Sequence, residues 1–161
     1  MTDLVRLDEL FEMEYGNSLE LVRMEPCDAP AGVNFVSRTD KNNGVSGRVS
    51  LPEGVEAFPA GTITVALGGS VLATFVQPED HVQGRDIMVL IPKVAMTVEE
   101  KLFYCQCIRA NRDRYAYGRQ ANKTLPALLV PAQVPDWVQE FDVGRGLDPK
   151  VDRLPFTSEV L

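Results

Sequence analysis

A short segment between two apolar stretches concentrates side chains that can bind nucleic acid. Residues 37–43 include Arg38, Lys41 and Asn43, together with a serine, a threonine and a second asparagine. Guanidinium, ammonium, hydroxyl and amide groups are the groups that proteins use to bond phosphate oxygens and base edges. A turn alone does not require so many of them. The segment therefore indicates a loop that contacts nucleic acid.

A second segment is more strongly basic. Residues 109–123 contain four arginines and one lysine against Asp113, a net charge of +4, and residues 34–50 carry a net charge of +2. Residues 1–25 carry −5, and the whole chain carries −7. The overall negative charge argues against nucleic acid, whereas two basic segments that meet in space would form one basic face. Two separate solvated surfaces that bind nothing are the alternative.

The spacing of apolar residues predicts the elements that must position these segments. Leu4, Leu7, Leu10 and Phe11 have helical spacing, which predicts a short amphipathic helix over residues 3–15. Alternating and β-branched residues predict strands at residues 33–38, 45–51, 61–66, 71–77 and 87–91, and the start of another at 19–24.

The clearest helix is predicted over residues 98–111, because Thr97 and Glu100 have the spacing of a capping box. These elements predict an α+β fold, a mixed α/β domain in which a twisted, mostly antiparallel sheet packs against this helix. A last short helix is expected to begin near Pro135. Residues 1–143 are expected to form one domain, and residues 144–161 a tail that wraps the surface or frays.

The sequence also predicts whether several individual residues lie in a turn, in the core or at the surface. Asn43 precedes a glycine, a strong turn signal, because both residues tolerate a positive φ. His81 lies in a turn-like context and is expected to be exposed to solvent. Four large aromatic residues are assigned to the core: Phe35, Phe75, Phe103 and Trp137.

Length and composition favour a cytoplasmic globular protein. The chain has 161 residues, of which 45% are hydrophobic, and no apolar run approaches the ~20 residues that cross a bilayer. The N-terminus has no signal-peptide pattern.

The cysteines favour reduced thiols. Their number is odd, and they are Cys27, Cys105 and Cys107. A zinc site would need more ligands, because His81 is the only histidine.

Signatures of catalysis are mostly absent. Gly69 lies in a Gly-Gly-Ser stretch that lacks the lysine of a phosphate loop, and a single histidine limits any catalytic triad. Asp80 or Asp86 with residues 99–101 faintly resembles the carboxylate metal site of nucleases, but helix capping already explains Glu99. We therefore expect no catalytic residues, no cofactor and no metal ion.

The chain resembles a target recognition domain of Type I restriction–modification specificity subunits, and related recognition regions fused to methyltransferase–endonucleases. The order of many weak motifs over residues 7–138 carries the resemblance. Those motifs are residues 10–11, 15–16, 35–39, 42–45, 60–65, 69–70, 74–77, 89–92, 101–103, 117–119 and 135–137. The resemblance implies a domain that reads a short DNA sequence and performs no catalysis. In the family, two such domains are joined by long helices that dock methyltransferase subunits, and this chain has one unit and no such helix.

Residue types assign expected roles on double-stranded DNA. Arg38 and Arg119 could each make a two-pronged contact to guanine, and Asn43 could make one to adenine. The whole set expected to bind DNA is Ser37, Arg38, Thr39, Lys41, Asn42, Asn43, Arg48, Arg112, Arg114, Tyr115, Tyr117, Arg119 and Lys123. Ordinary structural roles are the alternatives: Asn43 in a turn, Arg38 paired with an acid, and the two tyrosines covering the core edge.

The first functional hypothesis is a non-catalytic, sequence-specific DNA-binding domain that directs a partner enzyme. The alternative is a protein-interaction module with the same fold, binding a specificity or methyltransferase subunit, a polymerase or itself. The net charge and the missing helices favour that alternative. A palindromic DNA target would need two copies, so a homodimer is also considered.

Overall fold

The fold is described from a computed structural model, which places residues 3–115, 121 and 123–140. Tyr117, Arg119 and the tail at residues 144–161, all assigned a role from the sequence, lie outside these residues. The secondary structure, in chain order, is β1 (Leu4–Arg6), α1 (Leu7–Leu10), β2 (Phe11–Tyr15), β3 (Val33–Val36), β4 (Val45–Val49), β5 (Ile63–Ala66), β6 (Thr74–Val76), β7 (His81–Gln83), β8 (Ile87–Pro92), α2 (Val98–Arg109), β9 (Leu129–Pro131) and α3 (Asp136–Glu140).

A four-stranded antiparallel sheet, with strand order β2-β8-β5-β6, forms the centre of the domain. The buried side chains Ile63, Val65 and Leu90 from this sheet share a core with Ile108 of α2. Because β5 and β8 lie inside the sheet, most of their side chains are buried, which explains the nearly continuous apolar sequence of β8. The predicted α+β fold with one main helix is confirmed.

Two smaller sheets complete the described part of the chain. β3 pairs with β4 in antiparallel fashion and with β7 in parallel, over a small core that includes Phe35 and Val82. β1 pairs with β9 in a two-stranded ribbon. The sequence prediction contained a single sheet and no strand at residues 81–83.

The capping box predicted for the main helix is present. The Glu100 amide donates to Thr97 Oγ1 at 3.2 Å, and the Thr97 amide donates to Glu100 Oε1 at 3.0 Å. These two bonds satisfy amides that a helix N-terminus otherwise leaves unpaired. The bond from the Thr97 backbone also lowers the pKa of the Glu100 carboxyl group.

The prediction for the N-terminus was wrong. Residues 3–15 form β1, the single turn α1 and β2 instead of one helix. β2 pairs along its length with β8, from Phe11 opposite Pro92 to Tyr15 opposite Met88. Residues 11–15 alternate between apolar and acidic side chains, so a period of two competed with the helical spacing and tertiary pairing decided between them. Residues 21–23 form a 3-10 turn instead of the expected strand.

The predicted burial of two side chains was wrong. His81 is fully buried, and its ring stacks on Phe58. Trp137, assigned to the core, is 66% exposed on α3, where its ring touches the edge of Phe103. Phe35 is buried as expected.

Candidate nucleic-acid interface

The loop that joins β3 to β4 has a tightly specified backbone. Asn42, Asn43 and Gly44 have φ values of 52°, 56° and 78°, in the left-handed region. At residue 44 a Cβ atom would lie 3.2 Å from the Phe75 ring and 3.3 Å from Val36, so a glycine suits both the angle and the space. The turn predicted from these residues is confirmed.

Hydrogen bonds within the loop and across its base fix its shape. The Ser37 amide donates to the Gly44 oxygen at 2.9 Å, and the Ser37 and Ser46 hydroxyl groups bond each other. Asn42 Nδ2 donates to the oxygen of Val45 at 3.0 Å, and the Lys41 amide donates to Thr39 Oγ1 at 3.2 Å. The loop therefore presents its exposed side chains from a fixed backbone.

The two basic segments of the sequence meet at this loop. Arg112 Nη1 donates to Asp40 Oδ2 at 2.9 Å, and Arg112 Nε donates to the oxygen of Val71 at 2.9 Å. Arg38 Nη1 donates to Asp86 Oδ2 at 3.0 Å. The loop at residues 37–44, the turn before β6 at Val71, the turn before β8 at Asp86 and the segment after α2 at Arg112 thus lie together. We call this region the loop end.

The segment after residue 120 also reaches the loop end. The Ala121 amide donates to the oxygen of Leu67 at 2.9 Å, and the Leu67 amide donates to the oxygen of Asp86 at 2.8 Å. Lys123, two residues further along, is exposed. Residues 38–43, 109–115 and 121–124 therefore converge, although they are distant in sequence.

The charges at the loop end are partly compensated. Two of its arginines form the ion pairs just described, with Asp86 and Asp40. Among the described residues, the exposed cations Lys41, Arg114 and Lys123 form no ion pair. Partly exposed ion pairs are weak, because water screens them. The loop end therefore keeps cations that are available to an anionic ligand.

Three residues expected to contact DNA have other surroundings. Asn43 is only 5% exposed, and its Nδ2 donates to the oxygen of Val76 at 3.0 Å. Tyr115 is buried in the main core, where its hydroxyl group bonds Thr124 Oγ1 at 2.6 Å. Arg48 lies in β4 and pairs with Glu79. The contacts of Asn43 and Tyr115 support the structural alternatives given for them, and the ion pair of Arg38 with Asp86 supports the one given for Arg38.

No local sequence pattern indicates which acids and amides hold the loop. Asp86 and Gln77 both contact it, from positions 48 and 34 residues away from their partners. Contacts over such separations leave no local pattern. Arg109, counted only as a basic residue, lies over the Phe75 ring at 4.5 Å and donates to the oxygen of Thr74 at 3.0 Å.

An apolar groove of about 840 Å³ lies beside the loop end. Its floor is one face of α2 and strand β6, and Trp137 of α3 and Asn42 of the loop border it. Within the described residues, no group of three or more His, Cys, Asp or Glu side chains could hold a metal ion. In the same residues no helix has the length and apolarity needed to span a membrane.

Comparison with known proteins supports the resemblance in sequence and in fold. The chain is 28% identical over 120 residues, 74% of its length, to the specificity subunit S.BcgI of a Type II restriction enzyme from Heyndrickxia coagulans. No protein-family model matches the chain. The structure superimposes on the S subunit of the Type I restriction–modification system from M. genitalium with a TM-score of 0.57, at 19% identity over 80% of this chain. The chain has the fold of part of a restriction–modification specificity subunit.

Two further solved structures agree. One, from a study of complex assembly and conformational transition in a Type I restriction–modification system, gives a TM-score of 0.63 at 17% identity over 86% of this chain. The HsdS subunit from Thermoanaerobacter tengcongensis gives 0.58 at 17% identity over 86%. The chain spans about one third of the length of each of these proteins, with 33–35% of their chains covered. The resemblance to the specificity-subunit recognition domain is confirmed. The expectation of a non-catalytic chain agrees with the relatives, which are named as specificity or S subunits.

Proposed function

We propose that this specificity-subunit-like domain binds a short double-stranded DNA sequence through its loop end and directs a partner enzyme without catalysing a reaction. The observation that carries the proposal is the ion pair between Arg112 and Asp40, because it brings the two basic segments onto one surface. Named relatives that are specificity subunits support the same role. A methyltransferase subunit is the partner that the resemblance suggests.

The loop-end side chains that are exposed or half-buried divide by their chemistry. Lys41, Arg114 and Lys123 carry charges suited to phosphate oxygens. Arg38, Thr39 and Asn42 border them and offer donors and acceptors suited to base edges. Ser37 and Arg112 instead bond protein groups: the Ser37 hydroxyl group bonds that of Ser46, and Arg112 uses two of its donors on protein oxygens. Tyr117 and Arg119 remain proposed contacts from outside the described residues.

Binding to a fluorescent duplex of about 20 base pairs with randomised sequence tests this function. Anisotropy is measured from low to physiological salt. We expect affinity at low salt, and a slope of log K against log salt of about −3 to −5, since each phosphate contact contributes about −0.9. Selection from the same pool should then enrich one short motif. An absence of binding at low salt, where phosphate contacts are strongest, would contradict the proposal.

The second candidate is a protein-interaction module, and the groove with Trp137 favours it. An exposed aromatic residue beside an apolar groove is typical of protein-binding surfaces. Trp137 is the one tryptophan of the chain, so its fluorescence reports directly on this surface. A blue shift on addition of a methyltransferase subunit would support this role. A blue shift that depends on the protein's own concentration would instead indicate a homodimer.

A further inference from the structure

We infer that Gln77 is a positioning residue for DNA recognition, which acts through Asn43 on the β3–β4 loop; the inference rests on the proposed function. Gln77 directly follows β6, the edge strand of the central sheet, and its side chain is fully buried. It therefore cannot touch DNA itself. Its effect on recognition must pass through the residues that it bonds.

Two hydrogen bonds in opposite directions join the loop to the sheet. Gln77 Nε2 donates to the main-chain oxygen of Asn43 at 3.0 Å, and Asn43 Nδ2 donates to the main-chain oxygen of Val76 at 3.0 Å. A further bond from Gln77 Nε2 to Thr64 Oγ1, at 2.9 Å, holds the Gln77 side chain against the neighbouring strand. Asn43 is thus fixed by both its backbone and its side chain.

Fixing Asn43 also fixes the residues that precede it. Lys41 and Asn42 are exposed, whereas Asn43 is buried, so the loop enters the protein at residue 43. The left-handed backbone at residues 42 and 43 then determines the direction in which the two exposed side chains leave. Base readout needs side chains held to within about 0.5 Å, whereas a lysine on a flexible stem follows a phosphate over a larger range. Loss of the bonds should therefore affect sequence discrimination more than overall affinity.

Stability alone does not explain a glutamine at this place. The acceptor atoms Gln77 Oε1 and Asn43 Oδ1 are buried and have no hydrogen-bond partner among the described residues. An unpaired buried acceptor costs free energy, so the unpaired Gln77 Oε1 offsets the stability that Gln77 contributes through its bond to the Asn43 oxygen. What the amide supplies is a directed bond to one loop oxygen, which is the property needed to hold a loop in one position.

Two loop variants and one matched control separate positioning from stability. Gln77→Met removes the bond to Asn43 at nearly constant volume, and Asn43→Gly removes the bond to Val76 while tolerating the left-handed backbone. Thr62→Val is the control. The main-chain oxygen of Thr62 accepts from the main-chain amide of Gln77 at 2.9 Å, a bond that the substitution keeps, and the Thr62 hydroxyl group bonds His81 and not the loop. Selection from a randomised duplex pool, anisotropy on the unselected pool and hydrogen exchange of the Ser37 and Gly44 amides are the three measurements.

We expect both loop variants to bind the unselected pool within about twofold of the native chain and to lose about tenfold in enrichment of the native motif, comparable to one misplaced base contact. Their Ser37 and Gly44 amides should exchange about tenfold faster. Thr62→Val should keep native enrichment. Native enrichment or native loop exchange in Gln77→Met would overturn the inference while leaving DNA binding intact. A native chain that binds no duplex would overturn the proposed function, and this inference with it.

Discussion

Arg112 and Asp40 are 72 positions apart in the sequence, and their side chains form an ion pair with an N···O distance of 2.9 Å. The pair joins the loop after β3 to the segment after α2. Arg112 is held a second time by the oxygen of Val71, so the contact involves three separate parts of the chain. An acidic chain can present a basic surface because its arginines and lysines are gathered in this way.

Substitution of Asn43 should show that the left-handed backbone at this position matters for stability. Asn43→Ala and Asn43→Gly both lose the bond to Val76, but only alanine is strained at a φ of 56°. We expect Asn43→Ala to be less stable than Asn43→Gly by about 1 kcal/mol. Urea unfolding of the two variants measures the difference. Equal midpoints at equal m-values would show that the loop backbone adapts without cost.

His81 should make stability depend on pH in mildly acidic solution. Its ring accepts a hydrogen bond at Nδ1 from Gln83 and donates from Nε2 to Thr62, both at 2.7 Å. Burial lowers the pKa of His81 from 6.5 to about 4, against a smaller opposing effect of Asp80. The unfolded state therefore binds a proton at a higher pH than the folded state. The contribution of His81 is complete above pH 6.5 and is lost as the pH falls toward 4, by about 3 kcal/mol in total.

Urea unfolding between pH 7 and pH 4 measures this loss, with His81→Gln as the control that cannot titrate. Carboxylates contribute equally to both proteins, so the difference between the two curves isolates the imidazole group. We expect the native chain to lose stability more steeply than His81→Gln across this range. Parallel curves would mean that the buried imidazole is not the titrating group.

The capping box of α2 gives a prediction that is independent of function. Thr97→Ala removes the side-chain acceptor for the Glu100 amide and should cost about 1 kcal/mol. Thr97→Asp keeps an acceptor at the N-cap and should restore most of that stability. Thermal unfolding followed by circular dichroism compares the three proteins. A melting temperature for Thr97→Asp as low as that of Thr97→Ala would show that the cap does not act through this bond.

Local sequence patterns were sufficient for the elements whose stability is local or whose burial is complete. Thr97 and Glu100 predict the start of α2 because both capping partners lie within one turn. The apolar residues 87–91 indicate β8 because the strand is buried between β2 and β5. The same holds for the turn at Asn43, whose left-handed φ is a property of asparagine and the glycine that follows.

Elements decided by distant partners could not be predicted in this way. β7 is a three-residue strand whose existence depends on parallel pairing with β3, and His81 is buried because Phe58 and Thr62 cover it. At the candidate site, residue types indicated which segments are basic and left open whether those segments meet. They did not show that Asn43 faces inward or that Asp40 and Asp86 compensate part of the charge. Side-chain direction at a loop depends on contacts that no local pattern records.

The salt dependence of DNA binding by a charge-reversed loop end is the most direct test of the central claim. The double variant Lys41→Glu/Arg114→Glu reverses two exposed cations without breaking an ion pair among the described residues. Lys93→Glu, at the other end of β8 from Asp86, reverses a single exposed cation and is the control for position. On a duplex of about 20 base pairs, we expect the double variant to lose tenfold or more in affinity, and its salt slope to become shallower by about 2. The control should retain the native slope. A double variant with the native affinity and slope would contradict the assignment of the loop end as the DNA-binding surface.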